Sequence, residues 1–401
     1  MRTMKASTLK LCLPVIAMTM QQTAAALVIP PFLDDLKYPV SAIGSLISVG
    51  PIFALAARLP SGLAYRGYRA RMLMVATMSV MTLCNFLYSF AVRPLQFSLV
   101  HGLNGFAYGA ATTIYLAFFV DALPPDEDRH HAMGYYAGCL AIGYSTGGFT
   151  AGYVADRLGY TATFNFASLL GLLCLAALLL LRQPSSIKAS RDSRGEDTTT
   201  TLLESLKRIL DAKIATIVVV ALFLNMVHQM GGTFLPLYGL AVGLTLTEVG
   251  LIKGFYALCN AITRPMSGSV AKRLGHQRLA RAGLPLQSAF LMLVPLFQDV
   301  VSLLVLFVFI GFLRAVVLVA NTISMVEDVD PGRVRRGVAS GIFNAAGDLG
   351  NILGPSVGGL IASFTGIARL FIVGPFTITI LFFVSLWACR FVGRSVGLRH
   401  T

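Results

Sequence analysis

The chain repeats itself at a fixed offset, and few features constrain a fold more. Gly134, Gly143, Gly147, Gly152 and Gly159 return as Gly341, Gly350, Gly354, Gly359 and Gly366, each 207 positions later. Around them Asp121, Pro124, Arg129, Ala132 and Phe164 return as Asp328, Pro331, Arg336, Ala339 and Phe371, so the register holds through a helix and both flanking loops. Upstream, Pro30, Gly44, Arg58, Ser61 and Gly62 return as Pro236, Gly250, Arg264, Ser267 and Gly268, 206 positions later. One half is a diverged copy of the other. Solenoids repeat every 20–50 residues; a period this long suits a chain of two parallel halves, as in many membrane carriers.

Composition says where such halves reside. Hydrophobic residues make up 56% and charged residues 12% of the chain, against about a quarter charged in soluble domains. The expected class is an all-α, polytopic membrane protein. Crossing the hydrocarbon takes about 20 mostly apolar residues per helix, and twelve stretches qualify. They lie near 9–33, 40–62, 72–91, 95–120, 132–155 and 161–181, then near 213–240, 247–270, 281–298, 300–326, 337–362 and 368–392. The first is too long for a signal-peptide core and reads as a retained helix. The only long polar run, rich in Ser, Thr, Arg and Asp, lies at 183–212. It reads as a linker between an N-terminal six-helix bundle, 1–182, and a C-terminal one, 213–401.

A net charge of +14 would suit nucleic acid, but the basic residues sort by membrane side instead. Loops on one side hold only Lys37, Arg93, Arg157 and Arg369. The other side, with both termini and the linker, holds the rest of the loop charge. The positive-inside rule places that side in the cytoplasm. No nucleic-acid partner is expected; the bilayer is. The six cysteines all fall inside predicted helices without metal-site spacing, and read as small buried hydrophobes.

Twelve spans in two homologous halves joined by a cytoplasmic linker resemble the major facilitator superfamily over essentially the whole chain. Two motifs sharpen the resemblance. After the eighth span, Gly268-Ser-Val-Ala-Lys272-Arg273-Leu274-Gly275 is similar to the family's G-x-x-x-D-R-x-G signature, with Lys272 in place of the acid. After the second, Gly62 and Arg66 are kept and the acid is again missing. The resemblance implies a cytoplasmic gate at these loops, and their missing acids leave Asp121, Glu127 or Asp328 to meet the arginines. Gly350, Gly354, Pro355, Gly358 and Gly359, with Gly341, are similar to a pattern that proton-linked exporters of the superfamily carry in the fifth span; here the full copy lies in the eleventh. Small residues let helices approach closely, and Pro355 removes one backbone hydrogen bond. Close packing with no bearing on transport direction explains the same residues.

Ionisable residues deep in a span are functional candidates. Lys253, Arg314 and Asp348 qualify. At 1.5 Å per residue, Arg314 lies roughly 21 Å from the outer end of its span and Asp348 roughly 16 Å from the inner end of its own. The two depths nearly coincide, and the expectation is a proton-coupling Asp348 with Arg314 as its partner; a permanent structural pair is the alternative. Asn344 and Asn351 share a helix face with Asp348. The resemblance implies a central cavity lined by the first and fourth helices of each half. Polar stripes match it: Gln21 and Gln22; His101, Asn104, Tyr108 and Tyr115; Asn225, His228 and Gln229; Lys253, Asn260 and Arg264; and Asn321 beside Arg314. Singly, such residues more often bond a neighbouring helix than a ligand.

The chain carries no nucleotide-binding loop and no zinc-protease or serine-hydrolase motif, so neither an enzyme nor an ATP-driven pump is expected, and no cofactor or metal. The expected function is secondary transport of a small organic solute by a monomer, as proton-coupled efflux across a bacterial inner membrane. A proton-coupled or facilitated importer of an organic anion is the alternative, and a sensor that moves nothing is the third.

Overall fold

A computed structural model describes residues 6–123, 129–180, 212–327 and 336–397. The described residues are almost entirely helical. In chain order the helices are α1 (Ala6–Asp35), α2 (Val40–Ala64), α3 (Ala70–Leu87) and α4 (Pro94–Asp121), then the long element Arg129–Leu180. That element breaks at Gly159, whose φ of 82° lies in the left-handed region, and we call its arms α5 (129–158) and α6 (160–180). There follow α7 (Ala212–Ala241), α8 (Leu246–Leu274), α9 (His276–Met292), α10 (Val300–Glu327), α11 (Arg336–Thr365) and α12 (Ile367–Gly397). Gly366, the repeat partner of Gly159, separates α11 from α12 with a φ of 85°. Only glycine takes that conformation without steric cost, so the same reversal is written into both halves.

Among the described residues, nine elements are long and apolar enough to cross a membrane, the long one holding two arms, and α8 and α11 fall short. These two carry Lys253, Asn260 and Arg264, and Asn344, Asp348 and Asn351. Their low hydropathy comes from one polar face. The molecule is otherwise inverted relative to a soluble protein. Phe364, Leu180, Trp387, Met266 and Phe376 stand exposed on its outside, while Asn104, Asn321, Arg314 and Asp348 are buried. That distribution suits lipid as the surrounding solvent, where polar groups turn to the bundle interior.

The repeat is visible in the packing. A Cβ built on Gly143 would stand 2.6 Å from the Ile16 carbonyl oxygen, and one on Gly147 2.6 Å from that of Met20. Their copies Gly350 and Gly354 meet the carbonyls of Leu222 and Met226, at 2.2 and 2.6 Å. The contacted residues are themselves 206 positions apart. Thus α5 lies on α1 as α11 lies on α7, backbone against backbone, and the glycine series is first of all a packing device. The segment 183–212 lies outside the described residues except for its last position.

Candidate functional site

The helices of the two halves meet at one end of the molecule. We call it the arginine-poor face, since it carries Lys37, Arg93, Arg157 and Arg369. There α2 touches α11 and α5 touches α8. A Cβ on Gly44 would stand 2.2 Å from the Pro355 carbonyl oxygen, one on Gly152 2.2 Å from that of Leu246, and one on Gly250 2.4 Å from that of Gly148. Ser48 Oγ donates to the Ile352 carbonyl at 2.6 Å, and Ser356 Oγ donates to Ser48 Oγ at 2.7 Å. Asp156, at the end of α5, reaches across to the first turn of α8. Its carboxylate accepts from the backbone N–H of Leu246 (2.9 Å) and of Thr247 (2.7 Å), and from the Thr247 hydroxyl. An anion suits this place, because the first N–H groups of a helix are unpaired and carry partial positive charge. Toward the opposite, arginine-rich face the contacts stop. Gly134, Gly138, Gly268 and Gly341 have nothing within 4 Å of an added Cβ. Among the described residues the close contacts between the halves crowd toward the arginine-poor face, and we take the space beyond them as a cleft facing the arginine-rich one.

At the depth where the seal ends, one ion pair crosses between the halves. Arg58 Nη2 donates to Asp348 Oδ1 at 3.1 Å, and Arg58 Nε lies 2.9 Å from Asp348 Oδ2. Asp348 is the only buried carboxylate among the described residues. Its side chain is 12% exposed and that of Arg58 43%, so water reaches the pair from the arginine side. This corrects the expected partner. Arg314 turns instead to α7, donating to the Leu224 carbonyl at 3.2 Å and to Asn225 Oδ1 at 2.8 Å. Spacing along a helix gives depth only, and the direction around the helix decides the contact. The arginine that meets Asp348 is Arg58, from α2 of the other half.

The other candidates divide into two sets. Around the cleft, the Tyr108 and Tyr144 hydroxyls bond each other at 2.8 Å, and Tyr144 lies within the fields of both Arg58 and Arg264. Asn260 Oδ1 accepts from Arg264 Nε at 3.1 Å while its amide donates to the Gly311 carbonyl at 3.2 Å. His228 stacks on Tyr256, ring centroids 5.4 Å apart, with its Nδ1 2.8 Å from the tyrosine hydroxyl. Lys253 Nζ donates to the Gly232 carbonyl at 3.0 Å. Gln22, Gln229 and Asn344 have no hydrogen-bond partner given by the described residues, and Asn344 is exposed.

The second set is structural. His101 is held between the Tyr88 hydroxyl (2.7 Å) and the Ile47 carbonyl (3.1 Å), against the bare backbone of Gly50. Since the carbonyl can only accept, Nε2 donates to it and Nδ1 accepts from the tyrosine. Tyr115 donates to the Leu11 carbonyl at 2.6 Å, Asn321 to that of Ile217 at 3.1 Å, and Gln21 accepts from Asn85 at 3.3 Å. Asn104 is 2% exposed. The other four brace helices, whereas the Asn104 amide nitrogen is buried without a hydrogen-bond partner among the described residues. Among the described residues no cluster of three His, Cys, Asp or Glu could hold a metal ion.

At the expected gate loops, Gly62, Lys272 and Arg273 are exposed, and Arg66 bonds only nearby carbonyls, those of Leu63 and Tyr65. Gly275 has a φ of 85° and ends α8. Asp121 accepts from the Tyr65 hydroxyl at 2.7 Å rather than from an arginine. Burial, and then this carboxylate, push the Tyr65 phenol above its usual range, so it stays the donor. Glu127 and Asp328 lie outside the described residues. Asp156, Tyr144 and Tyr256 are the residues that sequence reasoning missed. For Asp156 a signal existed: Gly152-x-x-x-Asp156-Arg157-x-Gly159 is itself a G-x-x-x-D-R-x-G run, complete with the acid, on the arginine-poor side.

The chain matches the family model described as Major Facilitator Superfamily over residues 11–334 and 241–398. Among curated proteins it is 22% identical over 323 residues to an uncharacterized MFS-type transporter of Methanocaldococcus jannaschii, covering 80% of this chain and 82% of the relative. It is 21% identical over 342 residues to multidrug resistance protein 1 of Bacillus subtilis, covering 83% and 84%. Among solved structures, the nucleoside transporter NupG superposes with a TM-score of 0.79 at 14% identity, over 97% of this chain and 99% of that one.

Proposed function

Because this chain belongs to the major facilitator superfamily, a family of membrane transporters, we propose that it is a secondary transporter of a small organic compound, working by alternating access with Asp348 as its proton-coupling group. The observation that carries this reading is the Arg58–Asp348 pair, which joins the halves where the sealed region meets the open one. A carboxylate there gains a proton more readily when its arginine is withdrawn and loses it when the arginine returns. Rocking of one half against the other changes that distance, and so ties proton exchange to the conformation. The arginine-rich face is taken as cytoplasmic by the positive-inside rule, in a bacterial inner membrane with both termini inside; residues 183–212 link the bundles, and the monomer suffices.

Proton-coupled efflux is the direction we favour, supported by the similarity to multidrug resistance protein 1 of Bacillus subtilis and by a cleft open toward the cytoplasmic side. The second reading, a proton-coupled or facilitated importer of an organic anion, is favoured by a specific observation. Around the cleft stand Arg58, Lys253, Arg264 and Arg314 with one buried carboxylate. Flux of labelled lipophilic cations and organic anions into proteoliposomes under an imposed pH gradient tests both. Gradient-driven flux that becomes insensitive to pH in Asp348→Asn supports the coupling. Flux with unchanged pH dependence in that variant sinks it.

A further inference from the structure

Arg58 and Arg264 are repeat partners, 206 positions apart on the second helix of each half. The two helices are also packed alike, α2 on α11 and α8 on α5, through glycines that are themselves repeat partners: Gly44 with Gly250, and Gly152 with Gly359. Their electrostatic surroundings are not alike. Asp348 faces Arg58, whereas the position 207 residues earlier, which the repeat places opposite Arg264, is Ala141. Arg264 therefore keeps one neutral partner, Asn260 Oδ1 on its Nε, and no described carboxylate lies within ion-pairing distance of its guanidinium. It is exposed. Arg314 and Lys253 add positive charge nearby, both acting with Arg264 on His228. Tyr144 and Tyr256, on either side of the cleft, lie in the field of the same guanidinium.

Arg264, exposed and with like-charged neighbours and no carboxylate partner among the described residues, leaves its guanidinium available to an anion from outside. Its planar fork matches a carboxylate, sulfonate or phosphate. We infer that Arg264 anchors an anionic group of the transported compound, which supplies at the α5–α8 interface the counter-ion that Asp348 supplies at α2–α11. The tyrosines beside it add aromatic surface, their hydroxyls being bonded to Tyr108 and His228, so the class of cargo is an organic anion with an aromatic body. This rests on the transport reading but on neither direction of flux.

The test is equilibrium binding to the purified full-length protein in detergent, where no flux is needed. The probes are salicylate, benzenesulfonate and phenyl phosphate at fixed ionic strength, with neutral salicylamide as the control. At least one anion binds the unmodified protein, salicylamide does not, and Arg264→Gln weakens the anion by roughly tenfold or more, the loss expected for a charge-assisted pair. Arg264→Lys keeps the charge without the fork and falls between. Ala141→Asp gives the chain its own counter-ion and abolishes anion binding as Arg264→Gln does; should that variant misfold, Arg264→Gln and Arg264→Lys decide. Absence of binding by all three anions, equal binding of salicylamide, or anion binding unmoved in Arg264→Gln overturns the inference. Proteoliposome flux separates it from the reading beneath: Arg264-dependent binding without flux refutes transport alone, while flux of cations indifferent to Arg264→Gln refutes the anion alone.

Discussion

Replacing Asp156 by alanine unlatches the arginine-poor face. The carboxylate makes two bonds to backbone N–H groups and one to a hydroxyl on the first turn of α8, and these are the charge-assisted contacts in a seal otherwise built of glycine backbone and two serines. A hydrogen bond to a charged group is worth about 1.5–3 kcal/mol when protected, and an anion at a helix N-terminus about 0.3–1 kcal/mol. Asp156 is exposed, so water screens and competes, and the set together stabilises the closed face by about 2 kcal/mol rather than by the sum. That is roughly a thirtyfold shift in the open-to-closed ratio at 1.4 kcal/mol per tenfold. Spin labels at Leu158 and Val301, both more than 70% exposed and on opposite halves at this face, report the distance by pulsed electron double resonance in a background without the native cysteines. The unsubstituted protein shows mostly the short distance, Asp156→Ala a large added population at longer distance, and Asp156→Asn, which keeps an acceptor but not the charge, an intermediate. Identical distributions in all three would refute the latch.

Other consequences follow from the same contacts. Gly44→Val forces a side chain into the Pro355 carbonyl, so the face should stay open and transport fall to background, whereas Gly134→Ala, which meets nothing, keeps full flux and gains slightly in thermal stability because alanine is the better helix former. Tyr115→Phe loses one buried bond to Leu11 and lowers stability by about 1 kcal/mol, read as a drop in melting temperature with affinity for cargo unchanged. His101→Ala removes the two bonds of His101, to Tyr88 and Ile47, and opens a cavity beside Gly50; it costs about 2–4 kcal/mol, so the yield of folded protein drops without altering the pH profile of what remains.

Much of the fold was legible because it is written in residues that have no substitute. Glycines that let backbones touch and glycines of positive φ recur at the same spacing in both halves, and hydropathy marks the spans between them. The site was harder, for a geometric reason. Spacing along a helix gives depth, and Asp348, Arg314 and Arg58 all have depths that allow a meeting. Which arginine meets the acid depends on how the two halves face each other, a quantity that no single helix encodes. His101, Tyr115 and Asn321 misled for a related reason: a polar side chain that braces two helices shows the same sequence pattern as one that faces a cavity. Arg264 stands in a polar stripe of the sequence, yet its lack of a carboxylate partner among the described residues became visible only beside the Arg58–Asp348 pair.

The central claim is that proton exchange on Asp348 governs how the halves rock. With the same labels at Leu158 and Val301, the population of the open arginine-poor face should be followed across pH in the unsubstituted protein, in Asp348→Asn and in Arg58→Gln. The account predicts that acidification opens this face in the unsubstituted protein, by neutralising the carboxylate that holds Arg58, and that Asp348→Asn is as open at every pH as the unsubstituted protein is in acid. A variant Asp348→Asn that still titrates like the unsubstituted protein would contradict it.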